Sequence, residues 1–138
     1  MRGGGHNRAG FSVCDGGVVI DLSGMNGVEV DAGKRVARAE AGALVRDLDQ
    51  ATQRFGLATT SGGCPTVGIP GLTLGGGEGL LMSKYGAACD NLIRAQLVTV
   101  DERQSRPVKT PIQIFFGRFA AEAEISAWRR RSSTDSTR

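Results

Sequence analysis

The chain lacks several features that mark common protein classes. Aromatic residues make up only 5% of its 138 residues, so its core must be built mainly from Val, Leu, Ile and Ala. It has no run of 18 apolar residues, and its N-terminus has no apolar signal-peptide segment, which favours a cytoplasmic protein with no membrane span. Its three cysteines form no CxxC pair, so neither a disulfide framework nor a zinc site is predicted.

Motifs for several kinds of chemistry are also missing. There is no GxSxG elbow for a serine hydrolase and no Gly-Lys-Ser/Thr for a phosphate-binding P-loop. His6 is the only histidine, so a metal ion would lack partner ligands, and the simplest alternative for His6 is a solvated polar residue. The spacing Gly75-x-Gly77-x-Gly79 is only near the dinucleotide fingerprint, because its third glycine comes one residue early.

The positive charge is confined to one end of the chain. Residues 1–101 carry 9 Lys/Arg against 10 Asp/Glu, whereas residues 102–138 carry 8 against 4. A nucleic-acid-binding module that uses the basic tail is therefore the least favoured alternative, and we expect no nucleic-acid partner.

Glycine, in contrast, is abundant in this chain, and it is most concentrated in residues 61–86. Each glycine loses more backbone freedom on folding than any other residue, so this density has a conformational cost. Bare backbone N–H groups in glycine turns form cradles for anions, which favours a ligand that carries phosphates. The alternative is a tight-turn segment with no ligand.

The hydrophobic pattern predicts an α+β fold in one domain or part of one. A β-branched run at 18–22 is typical of a buried strand, and alternation at 28–30 and 35–40 predicts a β-hairpin. Apolar residues at helical spacing predict a helix over 42–55, which Gly56 would cap. We also predict a strand over 92–100 and a helix over 118–131.

Five segments together resemble a known family. They are RGGGHN at 2–7, CDGGVVIDLSGM at 14–25, ARAEAGALVRDLD at 37–49, CPTVGIPGLTLGGGEG at 64–79 and KYGAACDNL at 84–92. On these segments, residues 1–101 resemble the PCMH-type FAD-binding domain of the vanillyl-alcohol oxidase / p-cresol methylhydroxylase superfamily, in its berberine bridge enzyme-like branch. The resemblance implies part of a two-subdomain domain, with a mixed sheet and flanking helices.

The resemblance also implies a cofactor site. The 2–7 loop would wrap the FAD pyrophosphate with its amides, His6 would bond covalently to the flavin 8α-methyl group, and Cys64 would bond to flavin C6 as in bicovalent members. Independently, a cysteine between two glycines and a proline is typical of an accessible, reactive thiol. The positions that match the family's cofactor-binding segments are Arg2, Gly3, Gly4, Gly5, His6, Asn7, Cys64, Thr66, Val67, Gly68, Gly71, Gly75, Gly76 and Gly77.

The activity that the resemblance implies belongs to the whole family member. There, a small organic substrate transfers hydride to the flavin, and O₂ commonly takes the electrons. The family's substrate domain is absent from this sequence, so we expect a truncated fragment that binds FAD without being active by itself, and we assign no catalytic residue. The alternative is a non-catalytic or partner-completed flavin-binding module.

Residues 102–138 do not continue the family pattern, and we expect them to be a poorly ordered basic tail. Read from the third base of the Val108 codon, permitted codons for 108–138 yield ENPDPDLLWAIRGGGGNFGVATAFEYRLH, which is similar to the segment that closes the family's FAD domain. We therefore expect a frameshift between about Asp101 and Val108.

Overall fold

The computed structural model describes residues 1–98, 108–109, 119–126 and 128–129. Along the chain, β1 is Val28–Asp31, β2 is Val36–Glu40, α1 is Val45–Gln53, β3 is Leu57–Ala58, α2 is Ile69–Leu74, and α3 is Met82–Tyr85. A 3₁₀ turn at Cys89–Asn91 leads into β4, Leu92–Val98, which is followed by β5, Val108–Lys109, β6, Phe119–Ser126, and β7, Trp128–Arg129. Helices and strands are mixed, as the predicted α+β class requires.

The strands of the described residues form an antiparallel sheet of order β1-β2-β6-β4-β5 and a small β3-β7 pair. The β1–β2 hairpin is the one predicted from alternation, with Asp31 paired to Val36 at its turn. Arg35 takes a positive φ of 56° there, and Asp31 bonds both the backbone amide and the ammonium group of Lys34. The predicted strand at 92–100 is confirmed over Leu92–Val98, and residues 99–100 lie outside the described residues.

Helix α1 packs on this sheet through small residues. Leu48 of α1 is buried with Ala37 and Ala39 of β2 and with Ala95 of β4, so the shortage of aromatics is met by an alanine-rich, closely packed interface. The helix predicted over 42–55 is confirmed but begins at Val45. Gly56, at φ 65°, follows its last turn, where a left-handed residue commonly ends a helix.

Two predicted elements are wrong. The run at 18–22 is not a buried strand: Val18 is 88% exposed and Ile20 50% exposed, and within the described residues its ladder pairing is a single bridge between Asp21 and Arg2. The helix predicted over 118–131 is replaced by β6 and β7. The sequence EAEI within β6 alternates, and pairing with β2 on one side and β4 on the other outweighs helix propensity.

Candidate functional site

Two glycine segments that are distant in sequence meet backbone to backbone. A Cβ atom added to Gly68 would lie 2.6 Å from the amide nitrogen of Gly4, and a Cβ atom on Gly4 would collide with the amide nitrogen of Gly68. Real Cβ atoms do not approach backbone so closely, so both positions require glycine for this contact. The contact places the 2–7 loop beside residues 64–68.

The first loop is anchored at its start by backbone hydrogen bonds, and the amides that follow are unpaired within the described residues. The amide of Arg2 donates to the carbonyl of Ile20 at 2.8 Å, and the amide of Leu22 donates to the carbonyl of Arg2 at 2.9 Å. Within the described part of the chain, no hydrogen bond has an amide of residues 3–7 as its donor. A run of unpaired amides in a glycine loop is a cradle suited to an anion.

A salt bridge also holds the start of the 2–7 loop. The Arg2 guanidinium donates to Asp21 Oδ2 at 2.7 Å, and the backbone amide of Ser23 donates to Asp21 Oδ1 at 3.0 Å. The Ser23 amide first, and Arg2 second, lower the pKa of the Asp21 carboxyl below its usual value. Arg2 thus holds the base of the loop with its side chain and its backbone.

The second segment is fixed to the residues that lead into α1. The amide of Val45 donates to the carbonyl of Val67 at 2.9 Å, and the amide of Ile69 donates to the carbonyl of Ala43 at 2.9 Å. Arg46 adds a third bond, from its amide to the carbonyl of Pro65 at 3.1 Å. These bonds hold residues 65–69 rigidly against the core.

His6 and Cys64 meet at one hydroxyl group. His6 Nε2 lies 2.8 Å from Thr66 Oγ1, and Cys64 Sγ lies 3.4 Å from the same oxygen. All three side chains are exposed. The Thr66 hydroxyl, and then the backbone amides of Thr66 and Val67, stabilise the thiolate and lower the pKa of the Cys64 thiol. An imidazole and an activated thiol are thereby brought to one hydroxyl group from two segments that are far apart in sequence.

A cleft of about 790 Å³ opens beside this group, within the size range of small-molecule sites. Its lining includes most of the residues that the sequence assigned to cofactor binding, namely Gly3, Gly4, Gly5, His6, Asn7, Val67, Gly68, Gly71, Gly75 and Gly77. Four assigned residues lie outside the lining: Arg2, Cys64, Thr66 and Gly76. The lining also contains residues that were not assigned, namely Met1, Phe11, Ser12, Leu22, Ala41, Pro70, Leu72, Leu74 and Glu78.

Some glycines in the 61–86 segment are required by packing against protein, whether or not they line the cleft. The carbonyls of Gly76 and Gly77 accept hydrogen bonds of 2.8 Å from the amides of Cys89 and Ala88. Both glycines have positive φ, and a Cβ atom on Gly77 would lie 2.6 Å from the Cβ atom of Ala88. Packing of this turn therefore explains part of the glycine density. Gly71 differs, because a Cβ atom there would meet nothing within 4 Å.

The cleft fits a large ligand that carries phosphates. It combines the unpaired amides of residues 3–7 with open backbone at Gly71 and apolar walls such as Leu72 and Leu74. Among the described helices, none is long and apolar enough to cross a bilayer.

The fold and this cleft are those of a protein that binds a large phosphate-bearing ligand, and a family comparison identifies the ligand class. The model of the FAD binding domain matches residues 1–106, and the chain belongs to this family. It is 46% identical over 99 residues to (R)-6-hydroxynicotine oxidase of Paenarthrobacter nicotinovorans, covering 72% of this chain and 22% of that protein. It is 38% identical over 110 residues to the FAD-linked oxidoreductase YgaK of Bacillus subtilis, covering 80% and 24%.

Solved structures agree with the sequence relatives. The crystal structure of 6-hydroxy-D-nicotine oxidase from Arthrobacter nicotinovorans superposes with a TM-score of 0.85 at 35% identity, covering 93% of this chain and 30% of that one. BBE-like 1 of Physcomitrella patens gives a TM-score of 0.84 at 26% identity, with the same coverage. The chain therefore spans about a quarter of the curated relatives, and its fold is part of a berberine bridge enzyme-like FAD domain.

Proposed function

We propose that this chain holds FAD in the 790 Å³ cleft and bonds it covalently through His6 and Cys64, as part of an FAD-linked oxidoreductase. The observation that carries the proposal is the meeting of His6 and Cys64 at Thr66, beside a cleft lined by bare glycine backbone. An imidazole beside a low-pKa thiol also occurs as a catalytic nucleophile–base pair, and the glycine-lined cleft next to it is what favours attachment to a bound ligand here.

Each group of the chain has a distinct task in this proposal. The amides of residues 3–7 bind the diphosphate, because they lack other partners in the described part of the chain. Gly71 lets the ligand approach the backbone, and Val67, Leu72 and Leu74 exclude water from the cleft. When bound, FAD supplies the hydride acceptor for a small organic substrate, with O₂ as the final electron acceptor.

The two attachments balance with O₂ as the oxidant. His6 loses its ring N–H proton as a C–N bond replaces a C–H bond of the flavin methyl group, and Cys64 loses its thiol proton as a C–S bond replaces the ring C–H. Each bond releases two electrons and two protons, which convert one O₂ to H₂O₂. Substrate oxidation is proposed for the longer protein of which such a domain forms a part, and we assign no catalytic base among the described residues.

Acid precipitation of the purified 138-residue chain after incubation with FAD tests the proposal. We expect flavin in the pellet, and on peptides that contain His6 or Cys64 a mass increase equal to FAD less two hydrogen atoms for each bond formed. His6→Ala and Cys64→Ala should each keep one bond, and the double variant should lose all acid-stable flavin. Cys14→Ala is the matched control, since Cys14 is also an exposed free cysteine. Flavin found wholly in the wild-type supernatant would refute covalent attachment but leave non-covalent binding, which quenching of flavin fluorescence measures separately.

A further inference from the structure

The Thr66 hydroxyl has one proton and two neighbours. Its oxygen lies 2.8 Å from His6 Nε2 and 3.4 Å from Cys64 Sγ, both within hydrogen-bonding range for these atoms. A hydroxyl donates one hydrogen bond and accepts two, so Thr66 can donate to His6 or to Cys64 but not to both at once. The direction of one bond therefore constrains the direction of the other.

Two arrangements use the Thr66 proton between the three side chains; in a third, Thr66 accepts from both neighbours and the thiol stays protonated. In the first, the protonated thiol donates to Thr66, and Thr66 donates to His6 Nε2, so the imidazole proton lies on Nδ1. In the second, the Cys64 thiolate accepts from Thr66, and Thr66 accepts from a protonated Nε2, so Nδ1 has a free lone pair. Only the second arrangement leaves both the sulfur and a ring nitrogen nucleophilic.

We propose that Thr66 is a positioning residue whose hydroxyl turns from His6 to Cys64 when the Cys64 thiol ionises, which moves the imidazole proton to Nε2 and frees Nδ1. The consequence is that ionisation of one nucleophile prepares the other. This inference rests on the proposed function for its purpose, since it explains how both residues become competent for covalent attachment. The link itself needs no cofactor.

Of the charged groups near the three side chains, two arginines are paired with carboxylates and one glutamate lines the cleft. The guanidinium of Arg46, on α1, lies 3.6 Å from the carboxylate of Asp47. The contact of Arg46 with Pro65 is made by its backbone amide. Arg2 is paired with Asp21, and Glu78 lies among the residues that line the cleft. Hydrogen bonds from Thr66 and from the backbone, rather than a cation, favour the Cys64 thiolate.

Nitrogen-15 NMR of the full chain tests the link without FAD. His6 is the only histidine, so selective ¹⁵N-histidine labelling gives the signals of one imidazole. In the wild type we expect the Nε2–H tautomer to grow at the expense of the Nδ1–H tautomer as the Cys64 thiol ionises. This pH-dependent increase in the Nε2–H tautomer should be absent from Cys64→Ala and from Thr66→Val. It should persist in Thr66→Ser, which keeps the hydroxyl, and in Cys89→Ala, which is the control cysteine.

Alkylation by iodoacetamide, followed for each cysteine by peptide mass spectrometry, gives the second readout. We expect Thr66→Val to slow alkylation of Cys64 at neutral pH by about two- to tenfold, the range for losing one hydrogen bond to an exposed group. Thr66→Ser should restore the rate. Unchanged slow alkylation of the half-buried Cys89 shows that a variant is folded, so that a slower Cys64 reports the lost hydroxyl.

Two results would overturn the proposal. One is a His6 tautomer that does not follow Cys64 ionisation in the wild type, and the other is a Thr66→Val chain that matches the wild type in both readouts. Its failure is distinct from failure of the proposed function. Acid-stable flavin with no tautomer coupling removes the Thr66 link alone, whereas coupling without acid-stable flavin removes covalent attachment and leaves the link.

Discussion

Replacing Gly68 with alanine tests whether the contact between the two glycine segments assembles the site. The backbone of Gly68 has φ −73° and ψ 127°, which alanine adopts without strain, so any effect must come from the added methyl group. That methyl group would lie 2.6 Å from the Gly4 nitrogen, whereas ordinary contact begins near 3.4 Å. The two segments must therefore separate by about 0.8 Å, the difference between these distances.

The expected cost of this separation is about 1–3 kcal/mol, the range for overpacking a tightly packed site. For a chain of this size, that cost corresponds to a melting temperature lower by roughly 3–15 °C. If the displacement reaches His6, its 2.8 Å bond to Thr66 lengthens to about 3.6 Å, which is no longer a hydrogen bond. Thermal unfolding followed by circular dichroism measures the first effect, and acid-stable flavin measures the second.

Gly71→Ala is the matched control for the thermal-unfolding measurement, but not for flavin retention, because Gly71 lines the cleft. It adds the same methyl group to a glycine in the first turn of α2, where nothing lies within 4 Å. Since Gly71 lies in α2, alanine should be neutral or stabilise the fold by up to about 1 kcal/mol. A Gly68→Ala chain as stable as the wild type, or a Gly71→Ala chain destabilised as much as Gly68→Ala, would refute the reasoning.

Two further predictions concern acid stability and the reading frame. Because the folded pKa of Asp21 is lowered, its bonds to Ser23 and Arg2 should stabilise the fold above the unfolded pKa, near 3.8, and this stability should be lost as the pH falls below it. Asp21→Asn should therefore flatten the acid limb of a stability–pH curve, and an identical limb would contradict this. We also propose that residues 102–138 are read out of frame: sequencing of the gene should reveal the GGGGNFG-encoding frame downstream of the Val108 codon, and its absence would end that proposal.

Elements set by local pattern were predicted well from the sequence. The β1–β2 hairpin follows from alternation around a turn, and α1 follows from apolar residues at helical spacing. The strand expected at 18–22 failed because β-branched composition cannot supply a pairing partner, and the described residues give this run only one bridge. The helix expected over 118–131 failed because β6 pairs with two strands far from it in sequence.

In the candidate site too, features set by local sequence could be predicted, whereas contacts between distant residues could not. The glycine segments could be located from the sequence, since glycine density and motif spacing are local properties. The meeting of His6 and Thr66 spans 60 residues, and no periodicity encodes it. Phe11 lines the cleft without belonging to a quoted segment, and Glu78 lines it from within the 64–79 segment although no role was assigned to it.

The glycines of this domain perform two different physical tasks, which composition alone cannot separate. Gly4, Gly68 and Gly77 lie where a side chain would collide with protein, so their value is to bring segments together. Gly71 lies in open space beside the cleft, and the amides of residues 3–7 remain without partners in the described part of the chain. The first group fixes the loops so that the second can present bare backbone without collapsing onto itself. A glycine-rich segment therefore indicates a ligand only when some of its glycines are not needed for packing.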